Sequence, residues 1–253
     1  MSRLSTHLED LKFRLITVEL LRTARQRYTY RKLSAKTGLP VTVLSRYAKG
    51  HVLPNSERAR KLWEVLTKLV GLEVELRRRI HFNNDGYFDN TGIIGDFNLL
   101  RQAAHRALAA FAGRRVTKVL TAAVDGIPLA TMIANTFGVN LVIAKKTKEV
   151  GVPAFLEETF VLRDSGVTVT LYIPKDAIKR KDSVLIVDDM IKTGETQAAL
   201  INLVRKAKAE VTGVFSLIAI GDEWRTKLQL PDDCPVKVIV KIKHPHRTPS
   251  QKA

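Results

Sequence analysis

The chain has a single cysteine, few aromatic residues and no long hydrophobic run. Because Cys234 has no second cysteine to pair with, no disulfide can form within the chain, and a cytoplasmic protein is expected. The first residues are polar or charged and lack the apolar core of a signal peptide. The longest uncharged stretch, Gly126 to Ala144, is interrupted by Pro128 and by Asn and Gly residues. It therefore predicts a helix and a strand rather than a membrane span.

Acidic residues are also scarce, since 42 Lys and Arg stand against 25 Asp and Glu and leave a net charge of +17. Residues 1–80 hold 18 Lys and Arg against 7 Asp and Glu, a net charge of +11. An excess concentrated in the first third predicts that this part binds a polyanion. A Lys- and Arg-rich surface of the thermophile type would also produce part of this excess of positive charge. The residue pattern within the segment must therefore distinguish the two interpretations.

The basic segment is helical in pattern. Apolar residues recur at helical spacing over 8–27, and a short helix over Arg31 to Thr37 ends at Gly38, a position suited to a left-handed cap. Pro40 opens a further helix, Val41 to Lys49. Two short helices joined by a tight glycine turn predict a helix-turn-helix DNA-binding domain.

Residues 29–50 resemble the phage-repressor type of helix-turn-helix, with Ser45-Arg46-Tyr47 as in that family. The resemblance implies four core positions: Leu33, Ala35, Leu39 and Leu44. It also implies that the second helix enters the major groove of double-stranded DNA. Base edges or nearby phosphates would meet Val41, Thr42, Ser45 and Arg46, and the DNA backbone would meet Thr29, Arg31, Lys49 and His51. The alternative is a protein-interaction domain with a solvated basic face.

The end of the first domain is less well defined. Residues 56–80 continue as a helix that Ser56 would cap, but the alternation over 72–79 fits a strand, a wing or a linker equally. The turn-rich segment His81 to Asn90 is the expected boundary. We therefore expect a domain over 1–80, a second over 81–243 and a flexible tail over 244–253.

From Asp96 onward helices and strands alternate, which predicts an α/β domain with a parallel sheet. The predicted elements are helices over 97–111, 127–137 and 198–208, and strands over 117–123, 141–144, 184–187, 211–220 and 236–242. Residues 160–162 and 167–173 flank a turn at 164–166 and predict a hairpin.

The segment 184–196 carries the predicted chemistry. A buried apolar strand ends in Asp188 and Asp189, and a glycine-containing loop then leads into a helical pattern that opens at Gln197. Ligands of open α/β sheets bind at this edge, and the backbone N–H groups of a helix N-terminus attract an anion. Carboxylates nearby suit the hydroxyls of a ribose or a Mg²⁺ ion. The pattern predicts a ribose 5-phosphate site. The alternatives are a Walker-B-like strand end and an ordinary end of a sheet with capping acids.

This stretch resembles the type I phosphoribosyltransferases. The resemblance implies that Asp188 and Asp189 hold the ribose and that the 5-phosphate is bound by the loop residues Lys192, Thr193, Gly194, Glu195 and Thr196. It implies a diphosphate site at Asp125, Gly126, Ile127 and Lys145, and a flap formed by the hairpin. Phosphoribosyl pyrophosphate with Mg²⁺ is the implied ligand, although a solvated strand end is the alternative for Lys145.

The second part, over roughly residues 85–225, resembles the bacterial purine-operon repressors, in which a DNA-binding domain is fused to a phosphoribosyltransferase-like sensor. The first part departs from that family, because those repressors use a winged helix and this chain has the phage-repressor pattern. The first hypothesis is a homodimeric transcriptional regulator that senses phosphoribosyl pyrophosphate or a purine or pyrimidine nucleotide, with no catalytic residue assigned. The alternative is an active purine or orotate phosphoribosyltransferase with a regulatory domain. An RNA-binding attenuator is a third hypothesis.

Overall fold

The computed structural model describes residues 7–83, 88–163 and 166–243. The chain forms two compact units that divide between Arg78 and Arg79. The expected boundary segment, His81 to Asn90, lies in part outside the described residues, and the expected tail over 244–253 lies wholly outside them. No helix among the described residues has the length and apolar character needed to cross a membrane.

The first unit is helical. Its helices are α1 His7–Arg25, α2 Tyr30–Thr37, α3 Val41–Ala48, α4 Ser56–Val70 and α5 Leu72–Arg79, and the last residue of α5 already belongs to the second unit. Leucines of these helices form the core, among them Leu21, Leu33, Leu44, Leu62 and Leu66. The rings of Phe13 and Trp63 lie 5.6 Å apart between α1 and α4. Helices with apolar stripes have thus buried those stripes against one another, as the periodicity predicts.

The turn between α2 and α3 agrees with the sequence prediction in most respects. Gly38 ends α2 in the left-handed conformation with φ of 69°, and α3 begins directly after Pro40. The predicted core position Ala35 is wrong, because this residue is exposed. Two residues after the buried Leu33, it faces the other side of α2, since successive residues turn about 100° around a helix. Tyr47 of α3 is buried in the core, together with Leu33 and Leu44.

The α4–α5 region corrects two further expectations. The side chain of Asn55, rather than Ser56, caps α4 by accepting a hydrogen bond from the N–H of Arg58. The helix ends at Gly71, and residues 72–79 form a new helix, which answers the open question about this segment. Leu72, Glu75 and Leu76 are its buried residues, a helical spacing that the alternating letters concealed.

The second unit is an α/β domain, as predicted. Its elements are α6 Thr91–Ile94, α7 Phe97–Ala110, β1 Lys118–Ala122, α8 Ile127–Phe137, β2 Asn140–Ala144, β3 Phe155–Val161, β4 Thr168–Pro174, β5 Ser183–Ile191, α9 Glu195–Lys206, β6 Glu210–Ile220, α10 Trp224–Leu228 and β7 Val236–Ile242. Five strands form a parallel sheet in the order β2-β1-β5-β6-β7. The prediction had missed α6 and α10, which are too short to show a periodic pattern.

The central strand β5 is longer than predicted. Val184, Leu185, Ile186 and Val187 are fully buried, and the strand continues through the two acids to Ile191. Asp188 therefore still pairs with Ser216 of β6, and the strand runs past the acids, whereas the prediction has it end at them. Helix α9 begins at Glu195, two residues before the predicted opening at Gln197.

The predicted hairpin is present and also longer than expected. Strands β3 and β4 pair antiparallel from Phe155 with Pro174 to Val161 with Thr168. Asp164 and Ser165 of the predicted turn lie outside the described residues. The hairpin packs on the sheet domain through Glu158, which accepts a hydrogen bond from Asn202 of α9 at 2.8 Å and pairs with Lys206 at 2.6 Å.

Asn55→Ala should destabilise α4, because the backbone N–H of Arg58 in the first turn loses its side-chain acceptor. The expected cost is about 1 kcal/mol. Amide hydrogen exchange of α4 peptides in the full chain should then accelerate about fivefold. Ser56→Ala is the matched control and should leave exchange within experimental error. Equal effects of the two substitutions would contradict the assignment of Asn55 as the cap.

Candidate functional site

Two adjoining cavities lie at the carboxyl edge of the sheet. Their volumes are about 340 and 290 Å³. Both are lined by Asp125, Leu162, Asp188, Asp189 and Thr196, so they form one continuous depression. It lies where the chain leaves β1 and β5, which agrees with the general location of ligands in open parallel sheets.

The two adjacent acids of β5 are nearly buried at this edge, each with 7% of its surface exposed. The amide of Gln197 in α9 donates to Asp188, and the amide of Asn90 donates to Asp189 at 2.6 Å. The sequence had not identified Gln197 or Asn90 as site residues. Asn90 precedes the short α6 and lies 99 residues away from Asp189, so no local pattern could have found it.

Burial dominates the electrostatics of the pair. Loss of water, and then the charge of Asp189, raise the pKa of Asp188 well above its ordinary value. Burial also raises the pKa of Asp189, and the hydrogen bond from Asn90 opposes this only in part. Ribose hydroxyls donate to carboxylates, so a bound sugar would supply the donors that the ionised pair lacks.

The loop after the acids has the geometry of an anion site. Gly194 adopts φ of +88°, and α9 begins at the next residue, so consecutive N–H groups lie at a helix N-terminus. Of the predicted phosphate residues, Lys192, Thr193, Gly194 and Thr196 line the smaller cavity. Glu195 is not among the lining residues. Its carboxylate accepts from the Thr193 hydroxyl and pairs with Lys227 of α10.

The loop between β1 and α8 also lines the larger cavity, through Ala123, Val124, Asp125 and Gly126. The peptide bond between Ala123 and Val124 is cis. A Cβ at Gly126 would lie 2.3 Å from Thr121 Oγ1 and 2.8 Å from Asp188 Oδ1. Only glycine lets the loop approach β5 this closely. Ile127, predicted in the same group, is the first residue of α8 and is absent from the lining of either described cavity.

Lys145, predicted to bind diphosphate, does not line either of the two described cavities. Its backbone pairs with Tyr172 of β4, and its ammonium pairs with Glu149. Lys146 lines the larger cavity instead. Neighbouring side chains at a strand end point to opposite faces. The basic run that contains Lys145, Lys146 and Lys148 therefore does not by itself show which lysine faces the ligand.

The hairpin closes one side of the depression. Phe160, Leu162, Val169 and Leu171 add an apolar wall to the larger cavity, and Arg163 lines the smaller one. The lining of the larger cavity thus combines carboxylates with apolar side chains, a combination suited to a sugar that carries a flat apolar group.

In the first unit, the predicted DNA-facing residues share one face of α3. Val41, Thr42, Arg46 and Lys49 are exposed and Ser45 is half-buried, at positions that recur at helical spacing. Thr29, Arg31 and His51 are also exposed. The hydroxyl of Thr29 caps α2 by accepting from the N–H of Lys32.

The parallel sheet, the buried acid pair and the loop at the start of α9 define an α/β domain with its candidate site at the carboxyl edge of the sheet. The chain belongs to the phosphoribosyl transferase domain family, whose model matches residues 94–249. The fold is that of the type I phosphoribosyltransferases, preceded by a helical region that fits a helix-turn-helix.

Relatives of two kinds share this domain. The purine biosynthesis transcriptional repressor PurR of Bacillus subtilis is 32% identical over 133 residues, which are 53% of this chain and 47% of that protein. The xanthine phosphoribosyltransferase of Lactococcus lactis subsp. cremoris is 34% identical over 124 residues, 49% of this chain and 63% of that protein. The chain thus spans less than two thirds of either relative.

A solved structure agrees with these matches. The crystal structure of adenine phosphoribosyltransferase from Rhodothermus marinus superposes with a TM-score of 0.59 and 30% identity over 68% of this chain and 98% of that one.

Asp188→Asn should stabilise the protein at neutral pH. The unfolded chain ionises Asp188 above about pH 4, whereas the folded chain holds the proton up to a raised pKa. The stability that Asp188 contributes is therefore complete below about pH 4 and is lost as pH rises through the folded pKa. The Asn variant escapes this loss, so its thermal midpoint should exceed that of the wild type at pH 7 and approach it near pH 4.

Asp182→Asn is a control for which the opposite change in stability is expected. Burial would raise the pKa of Asp182, but hydrogen bonds from the Lys179 N–H and the Thr117 hydroxyl outweigh it and lower the pKa. This variant should lose stability at pH 7. An Asp188→Asn variant less stable than the wild type at pH 7 would contradict the assignment.

Proposed function

We propose that this chain is a DNA-binding transcriptional regulator whose phosphoribosyltransferase-like domain senses phosphoribosyl pyrophosphate or a purine or pyrimidine nucleotide. The observation that carries the proposal is the coexistence, in one chain, of an acid-lined cavity in a phosphoribosyltransferase fold and a separate helical unit with an exposed, basic helix face. A cytoplasmic location follows from this proposal, because both DNA and such ligands are found there.

In this proposal each wall of the depression binds one part of the ligand. Asp188 and Asp189 accept hydrogen bonds from the ribose hydroxyls, and the backbone and hydroxyls of residues 192–196 bind the 5-phosphate. The loop at Asp125, Gly126 and Ile127 receives any diphosphate. Lys146 supplies a positive charge there, because Lys145 is engaged with Glu149.

Mg²⁺ would enter together with the ligand. The described residues contain no group of three or more side chains able to hold a metal ion among themselves. Asp125, Asp188 and Asp189 nevertheless line a common cavity, and their oxygens are of the type that Mg²⁺ prefers. A diphosphate would complete such a donor set, so the ion would neutralise charge on both the acids and the ligand.

The helix α3 is the proposed reading element for double-stranded DNA. Its face carries one aliphatic, two hydroxyl and two cationic side chains, namely Val41, Thr42, Ser45, Arg46 and Lys49. An aliphatic group can contact a thymine methyl, and Arg can donate two hydrogen bonds to guanine. We propose that the chain acts as a homodimer, since paired half-sites multiply the affinity of a small module.

Sensing is favoured over catalysis by the loop before α8. The backbone of the Asp125–Gly126 turn is available, but its neighbour Val124 is 74% exposed and apolar, and the loop carries no Lys or Arg to grip a leaving pyrophosphate. Similarity to PurR supports a regulator. Similarity to a xanthine phosphoribosyltransferase supports the alternative, an active purine or orotate phosphoribosyltransferase with a regulatory domain.

The proposal is tested by replacing both acids of the site, Asp188→Asn with Asp189→Asn. This variant should bind DNA like the wild type without ligand, but should no longer respond to phosphoribosyl pyrophosphate or nucleotides. A ligand shifts DNA binding only if it has unequal affinity for the DNA-bound and the free protein. The variant should bind the ligand in neither state. The measurement is a gel-shift titration on the DNA upstream of the protein's own gene.

The exposed acid pair Asp232 and Asp233 provides a matched control, because the same double replacement there changes the charge equally. It should respond like the wild type. Arg46→Ala should weaken DNA binding but leave ligand binding unchanged. Arg60→Ala, on the exposed side of α4, should change neither DNA binding nor ligand binding. A normal ligand response of the Asp188 and Asp189 variant would refute the sensor.

The enzyme alternative predicts a different result. With adenine, hypoxanthine, guanine, xanthine or orotate plus phosphoribosyl pyrophosphate and Mg²⁺, we expect no base-dependent release of pyrophosphate by the full chain. A turnover of about 1 per second would be ordinary for an enzyme and would favour catalysis instead. The Asp188→Asn, Asp189→Asn variant is the blank for contaminating activity.

A further inference from the structure

The short helix α10 lies directly behind the phosphate loop. A Cβ on Gly194 would lie 3.0 Å from the Cβ and 3.1 Å from the Cα of Trp224. The phosphate loop therefore packs directly against Trp224. Three residues further along α10, the Lys227 ammonium pairs with the Glu195 carboxylate. Their side chains are only 22% and 12% exposed, so water screens the pair weakly.

Glu195 poses an electrostatic problem for the proposed ligand. It is the first residue of α9, and its carboxylate already accepts from the hydroxyl of Thr193, a residue that lines the phosphate cavity. A carboxylate is itself an anion that a helix N-terminus attracts. An uncompensated charge there would compete with a phosphate for the same donors and would also repel it.

We propose that Lys227 is a positioning residue of the phosphate site. It neutralises the Glu195 carboxylate and holds it toward α10, which leaves the loop N–H groups to a phosphate monoester. The inference rests on the ribose-phosphate site of the proposed function and adds a residue outside the loop that determines whether the site accepts an anion.

A purely structural role makes different predictions. If the pair only fastens α10 to α9, breaking it from either end should damage the site alike. If Lys227 acts by cancelling the charge of Glu195, removing the lysine should weaken binding, whereas removing the carboxylate's charge should not. The double replacement should then recover the affinity, which is the signature of a specific coupling between the two residues.

The experiment titrates the full chain with ribose 5-phosphate by calorimetry at pH 7.5 and low salt. Lys227→Met should weaken binding by at least about fivefold, because it leaves a partly buried negative charge beside the ligand. Glu195→Gln should bind at least as tightly as the wild type. Glu195→Gln with Lys227→Met should return to within about twofold of the wild type. Lys241→Met, which removes an exposed lysine paired with Asp222 at 3.8 Å, is the control and should change nothing.

Wild-type affinity in the Lys227→Met variant would overturn the inference, as would a double variant no tighter than Lys227→Met. If Lys227→Met does not fold, Glu195→Gln decides alone, and weaker binding than the wild type would overturn the inference. These outcomes leave the proposed function intact. A wild-type chain that fails to bind ribose 5-phosphate would instead overturn the phosphate site of the proposed function, and the inference with it.

Discussion

Asp188 and Asp189 leave water on folding, and each keeps only 7% of its surface exposed. Burial raises the pKa of both carboxyl groups, and the charge of Asp189 raises that of Asp188 further, so the ionised pair opposes stability at neutral pH. The fold tolerates them because Gln197 and Asn90 donate hydrogen bonds from two different elements. Such an arrangement favours function over stability, and a ligand that donates hydrogen bonds or carries a cation would relieve the cost.

The surrounding elements are arranged around this pair. Gly126 brings the loop before α8 against Asp188, and Gly194 brings the loop before α9 against Trp224, so two sets of backbone N–H groups meet at one sheet edge. The hairpin adds an apolar wall through Phe160 and Val169. Because each approach requires a glycine or a specific partner, the cavity depends on contacts between segments that are distant in the chain.

Much of the architecture could be predicted from local patterns. The strand that carries the acids, the helix over 127–137, the strand over 236–242 and the left-handed Gly38 follow from apolar runs and turn residues. What could not be predicted depends on tertiary contacts. Asn90 reaches Asp189 from 99 residues away in the chain, and Lys227 reaches Glu195 from 32 residues away. The orientation of Lys145 and Lys146 depends on the backbone pairing of Lys145 with Tyr172. The exposure of Ala35, by contrast, follows from its helical position relative to the buried Leu33.

The central claim is that a sugar phosphate binds where β5 passes into α9. A crystal structure of the full chain with phosphoribosyl pyrophosphate and Mg²⁺ tests it most directly. We expect the 5-phosphate within hydrogen-bond distance of the backbone N–H groups of residues 193–196, and the ribose hydroxyls hydrogen-bonded to Asp188 and Asp189. A cavity that stays empty at saturating ligand, or a ligand bound elsewhere on the chain, would contradict it.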